Sequence, residues 1–201
     1  MTSKRKPNPR GRPRAFDADK ALNQAMRVFW EHGYEGTSLP QLTKAMGINR
    51  PSLYAAFGNK AELFRKVIDR YADKSGEMIR QALAQPNARA AVEQLLKTVV
   101  GAPAQGKLRG CLLVQGALAC GDDAASIRRE LALRRGEVEQ LLRERLMRAA
   151  AEGDLPPHAR PAALAKFIAT FQHGLAVQAA GGADRAELLA AVDIALQAWP
   201  R

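Results

Sequence analysis

Apolar residues recur at three- and four-residue intervals through most of the chain, and no segment alternates with the period of two that a strand would show. Ala21, Leu22, Ala25, Met26, Val28 and Phe29 form the first stripe. They predict a helix that begins at an Asp17 cap, runs to about His32 and stops at Gly33. Ser38 followed by Gln41 is a capping-box spacing, so a second helix is expected from Leu39, with Leu42, Ala45 and Met46 as its apolar stripe and Gly47 as its end. Asn49 caps a short third helix and places Pro51 in its first turn, where a missing N–H costs little. A long helix then runs from Asn59 to about Ala84, broken by Gln85-Pro86-Asn87. Further helices are expected at about Ala88–Val100, Gly110–Cys120, Ala124–Ala151, Arg160–Ala180 and Asp184–Ala198. In the fifth-from-last to last of these the punctuation is plain: a loop holding Pro103, then Gly121-Asp122-Asp123, then Gly153 to Pro157, then Gly181-Gly182. In the long charged helix, Ile127, Leu131, Leu133, Val138, Leu141, Leu142 and Leu146 are expected on the apolar side. The fold class is all-α with about nine helices.

The segment Thr37 to Lys60 carries the chemistry. Two short helices joined by a glycine turn, the second opening on polar residues, describe a helix-turn-helix. A packing hairpin in an all-α core would give the same outline. The polar first turn of the second helix and the basic residues on either side favour DNA. Arg50 and Ser52 are placed to reach base edges, with Pro51 setting the first turn. Thr37, Ser38, Tyr54, Asn59 and Lys60 are expected at the backbone, the last two because a helix N-terminus favours a phosphate.

Charge sharpens this. The 201 residues carry a formal +11, and residues 1–75 alone hold 15 Lys/Arg against 7 Asp/Glu, so the excess sits around the helix-turn-helix. Residues 1–15 are basic, rich in proline and poor in large apolar groups, a flexible arm. Within it Arg10, Arg12 and Arg14 lie in an R-G-R-P-R stretch resembling the core of an AT-hook, which inserts arginines into a narrow minor groove. Two cysteines make no disulfide framework, no Cys/His spacing suggests zinc, and neither a phosphate-binding glycine loop nor a G-x-S-x-G nucleophile motif occurs. No cofactor, metal or enzymatic activity is expected. With no secretory signal and no apolar run long enough to span a membrane, the expected location is cytoplasmic.

The stretch from about Phe16 to Phe64 resembles the DNA-binding domain of the tetracycline-repressor (TetR/AcrR) family of bacterial regulators. The resemblance rests on Ala25, Phe29, Gly33-Tyr34, Thr37-Ser38, Ala45-Met46-Gly47-Ile48, Ser52-Leu53-Tyr54, Phe57, Asn59-Lys60 and Leu63-Phe64. One departure is Ala55-Ala56, where bulkier or histidine side chains often stand, which shifts base contact toward Arg50 and Ser52. The resemblance implies a dimeric, sequence-specific regulator, a repressor more readily than an activator. Residues 16–62 would form the DNA-binding domain. Residues 63–201 would form a helical domain for dimerisation and for a small-molecule effector that moves the DNA-binding domains apart.

The C-terminal half adds its own indications. The last two helices are apolar around most of their circumference and need partners on more than one side. A homodimer built through them as a four-helix bundle meets that need and pairs two half-sites. Phe167 and Phe171, one turn apart, are candidate effector contacts as well as core residues, and Gln172 and His173 are candidate polar contacts. Gly110-Cys111-Leu112 resembles a subset of the family in which that cysteine answers oxidants or electrophiles. Cys111 near a helix N-terminus, close to Lys107 and Arg109, fits a thiol of raised reactivity, and a buried small hydrophobe fits equally. On a continuous helix Cys111 and Cys120 would lie ~13.5 Å apart along the axis, too far for a disulfide. The same sequence also fits two other functions: a nonspecific architectural DNA-binding protein, and a ligand-binding or catalytic helical protein with a vestigial DNA domain.

Overall fold

A computed structural model describes residues 16–101, 110–118 and 124–200, and among these it contains nine helices and no strand. They are α1 (Ala18–His32), α2 (Leu39–Met46), α3 (Arg50–Phe57), α4 (Lys60–Leu83), α5 (Ala88–Val100), α6 (Leu112–Leu118), α7 (Ala125–Ala151), α8 (Pro161–Ala180) and α9 (Arg185–Gln197). Local capping chemistry sets most of the starts. Asp17 accepts from the N–H groups of Asp19 and Lys20, Asn49 from Ser52, and Asn87 from Ala90. Ser38 with Gln41 and Asn59 with Glu62 close reciprocal capping boxes. Gly47 ends α2 in the left-handed conformation, at φ 66° and ψ 31°.

Two apolar cores share α4. Leu63, Phe64, Val67 and Ile68 from its first half pack with α1, α2 and α3, and also with Leu112 and Leu113 of α6 and Ile127 and Leu131 of α7. Ile79, Ala82 and Leu83 from its second half join α5, the latter half of α7, α8 and α9. The helix-turn-helix core therefore extends past residue 62 and takes in the start of two helices from the C-terminal half. Ion pairs bind the same junction: Arg65 to Glu130 at 3.0 Å, Arg134 to Asp69, and Arg70 to Asp19. Arg145, buried in α7, donates to the carbonyls of Leu83 and Gln85 at 3.1 and 3.2 Å and so ties off the C-terminal end of α4.

Three face assignments differ from the sequence pattern. Ala45 is exposed, because Leu42 and Met46 alone span the contact face of the two-turn α2. Leu133 is 71% exposed and Leu141 39%, since the 27-residue α7 leaves one core for the other and its buried face narrows in between. Among the described residues no helix is long and apolar enough to cross a membrane, and no cluster of three or more His, Cys, Asp or Glu could hold a metal ion.

Candidate nucleic-acid interface and the cavity behind it

The side chains expected at DNA divide by what they already do. Arg50, Pro51 and Tyr54 are exposed on α3, and Ser52 is half-buried with its backbone N–H given to Asn49 Oδ1 at 2.9 Å. Leu53 and Phe57 seat α3 in the core, and Arg50, Pro51 and Tyr54 are left exposed on its first turn and a half. Thr37 does not present its hydroxyl to solvent. It is buried, and Oγ1 donates to the Gly33 carbonyl at 2.6 Å, so its side chain fixes the α1–α2 turn in place of the phosphate contact expected of it. Ser38 and Asn59 serve as caps, with Gln41 and Glu62 as their partners. Lys60 reaches back over the Tyr34 ring at 4.6 Å and to the Glu35 carbonyl at 3.4 Å. Partial burial lowers its pKa, and the Glu35 carboxylate partly opposes that shift. Lys60 thus clamps the start of α4 to the α1–α2 turn. Arg10, Arg12 and Arg14 lie outside the described residues. Phe16, where the described chain begins, packs against Phe57 at the end of α3, with ring centroids 6.1 Å apart. The described chain therefore starts against the C-terminal end of α3.

Behind this module a cavity of about 310 Å³ opens among α4, α5, α7 and α8 and reaches Trp30 of α1. Cys111 is on its wall, half-buried and free. The Cys111 carbonyl accepts from Val114 and Gln115, so the cysteine starts α6. The Tyr71 hydroxyl donates to Cys111 Sγ at 3.4 Å, and Tyr71 meets Trp30 edge-on at 5.1 Å. Burial, and then the neighbouring sulfur, hold the Tyr71 pKa well above its ordinary 10.0. Gly110 takes φ 63°, and a Cβ there would collide with the carbonyl oxygen of Ala176 on α8. Glycine lets the Cys111 segment lie directly against α8. Lys107, Arg109 and Cys120 lie outside the described residues.

Phe167 and Phe171 are not on the cavity wall. Their rings stack at 6.4 Å, with Phe167 48% exposed and Phe171 packed on the C-terminal core. On a helix the residues that face the cavity, Gln172, His173 and Ala176, are turned about 100–200° from that pair. Tyr71, Trp30 and Arg135 were not singled out from sequence. For Arg135 a signal existed, because it falls between Leu131 and Val138 on the apolar stripe of α7, where a charge is out of place.

Residues 21–67 match the family described as bacterial regulatory proteins, tetR family. The HTH-type transcriptional repressor ComR of Escherichia coli (strain K12) is 34% identical over 194 residues, covering 95% of this chain and 92% of ComR. A cysteine-substituted form of the TetR family transcriptional regulator CifR, solved in complex with 26-bp double-strand operator DNA, is 46% identical. It covers 94% of this chain and 100% of that one, with a TM-score of 0.89. A TetR regulator from Rhodococcus sp. RHA1 is 42% identical over 92% of this chain, with a TM-score of 0.62.

Proposed function

The chain belongs to the tetR family of bacterial regulatory proteins, and from that premise we propose that it is a dimeric repressor that binds a specific DNA operator through paired α3 helices. The observation that carries this reading is the exposure of Arg50, Pro51 and Tyr54 on α3, a helix seated in the core by Leu53 and Phe57. Likeness over nearly the whole chain to ComR, a repressor, and to CifR held on operator DNA supports sequence-specific binding over architectural coating. Arg50 takes a guanine in the major groove, Ser52 and Tyr54 contact base or backbone, and Thr37, Ser38, Asn59 and Lys60 hold the frame in which α3 is presented. Arg10, Arg12 and Arg14 of the arm enter the adjacent minor groove, a placement supported by the Phe16–Phe57 contact.

Residues 16–62 are the DNA-binding unit in this reading, and 63–201 the effector and dimerisation unit. The exposed apolar residues Phe167 and Val177 of α8 and Ile194 of α9 support a homodimer through those two helices. The protein works by binding, without a reaction of its own, and acts in the cytoplasm where operator DNA lies. A small molecule in the cavity, or modification of Cys111 on its wall, favours the dimer that does not match the operator. The Tyr71–Cys111 contact supports the second route, since it ties the sulfur on the cavity wall to α4, so that modification there must disturb the contact. Gel-shift titration of the wild-type and Arg50→Ala proteins against the DNA upstream of the protein's own coding sequence tests the reading. Binding that survives excess competitor and is lost in the variant supports it. Equal binding by both proteins would sink the role of Arg50.

A further inference from the structure

We propose that the cavity takes a small amphipathic carboxylate whose head group pairs with Arg135 of α7. The inference rests on the effector reading of the cavity and names the chemical class of its occupant. One wall is apolar, formed by Met78 and Ile79 of α4 and by Leu95 and Val99 of α5. The opposite wall, from α7 and α8, carries Arg135, Gln172 and His173. Other polar groups on the lining are already spent. Ser75 Oγ donates to the Tyr71 carbonyl and Thr98 Oγ1 to the Gln94 carbonyl, each at 2.8 Å. Polarity that an occupant can use is therefore gathered on one side.

That side is positive. Arg135 is a permanent cation, and no Asp or Glu is among the described residues that line the cavity. Among the described residues Arg135 makes one hydrogen bond, from Nη1 to the Leu113 carbonyl at 2.7 Å, and no carboxylate lies within ion-pair distance of it. The nearby Glu139 is engaged by Lys166 at 2.6 Å. His173 is held below its ordinary pKa first by burial, then by the charge of Arg135 and of Lys166, with Glu139 pulling the other way. A neutral imidazole beside a guanidinium leaves the wall with one unbalanced charge, and an anion sharing both groups would balance it. A volume of about 310 Å³ is at the small end for ligand sites, which fits one ring or a short chain.

Arg135 also makes the site informative to the rest of the molecule. The Leu113 whose carbonyl it holds is packed in the helix-turn-helix core, and Trp30 brings α1 itself to the cavity wall. A carboxylate that draws on the guanidinium acts on a group already bonded to α6.

The test uses calorimetric titration of the intact protein with phenylacetate, benzoate and hexanoate, each beside its neutral amide. The acid is expected to bind about tenfold or more tightly than the amide. An Arg135→Gln change is expected to remove that preference while leaving the helical circular dichroism signal unchanged. Location is read in a Trp199→Phe protein, in which Trp30 is the only tryptophan, and whose emission is expected to change as the acid saturates. Amides that bind as well as acids, an acid affinity indifferent to Arg135→Gln, or no saturation by any of the three acids would each overturn the assignment. If Arg135→Gln fails to fold, the acid–amide comparison on the wild-type protein decides alone. Operator binding is measured separately. Its presence without acid binding leaves the regulator and removes this inference, while acid binding without any operator affinity does the reverse.

Discussion

The Tyr71 hydroxyl donates to Cys111 Sγ at 3.4 Å, and its ring meets that of Trp30 edge-on with centroids 5.1 Å apart. One side chain of α4 thus touches both the cysteine that opens α6 and a helix of the DNA-binding module. With its pKa raised well above 10.0, Tyr71 stays protonated at any physiological pH and remains a donor. Any adduct on the sulfur must displace or distort that contact, and Trp30 is next in line.

Tyr71→Phe keeps the ring and removes the donor. In a Cys120→Ser background, alkylation of Cys111 at neutral pH should slow by about two- to tenfold, the worth of roughly one hydrogen bond. Mass spectrometry of iodoacetamide-treated samples over time measures it. An unchanged rate would mean that the tyrosine does not assist the reaction at the sulfur.

Gly110→Ala should destabilise the protein by about 1–3 kcal/mol, because the new methyl meets the Ala176 carbonyl at a positive φ that alanine avoids. Urea unfolding with an unchanged slope checks it. A neutral substitution would show that the segment relaxes away from α8 at little cost.

Thr37→Val and Arg50→Ala should fail differently. Loss of the buried Thr37–Gly33 hydrogen bond should lower stability by about 1 kcal/mol. Loss of Arg50 should leave stability unchanged and cost about 1–3 kcal/mol of operator binding, with relaxed preference at one base pair. Thermal unfolding beside anisotropy titrations against single-base operator variants separates the two.

His173 sets an acid-side limit. Its folded pKa lies below 6.5, so as pH falls from about 6.5 the unfolded chain takes up a proton that the folded one still refuses. Stability is intact above that range, falls with pH down to the lowered folded pKa, and is then level. His173→Gln should flatten this part of the denaturation profile between pH 7 and pH 5. A profile identical to wild type would place the acid sensitivity elsewhere.

Ile194→Asp puts a charge on the exposed apolar face of α9, where the side chain is 67% exposed in the single chain. It should shift the dimer toward monomer in sedimentation experiments without lowering helix content. A dimer of undiminished stability would move the interface off α9.

The helix-turn-helix was legible because its signals are local. Asp17, Ser38 with Gln41, Asn49, Asn59 and Asn87 each act within three residues, so their helices start where those residues say. Side-chain direction was less legible. Thr37 points inward only because α1 ends beside it, and Leu133 points out only because α7 passes between two cores. Helix α8 is apolar on nearly all sides, so periodicity alone did not decide between the Phe167–Phe171 face and the Gln172–His173 face for the cavity. The cavity depends on which helices meet, and Tyr71 and Trp30 reach it from distant parts of the sequence. For Arg135 the sequence held a signal that went unread, a charge between Leu131 and Val138 on the apolar stripe of α7.

Sequence-specific binding by a dimer can be read by selection from fragmented genomic DNA with the purified protein, followed by sequencing of the retained fragments. A short two-fold-symmetric site should be enriched, bound about a thousandfold or more tightly than shuffled DNA at the same salt. Uniform retention of all fragments, weakening steeply with salt and enriching no site, would contradict it and leave an architectural DNA-binding protein.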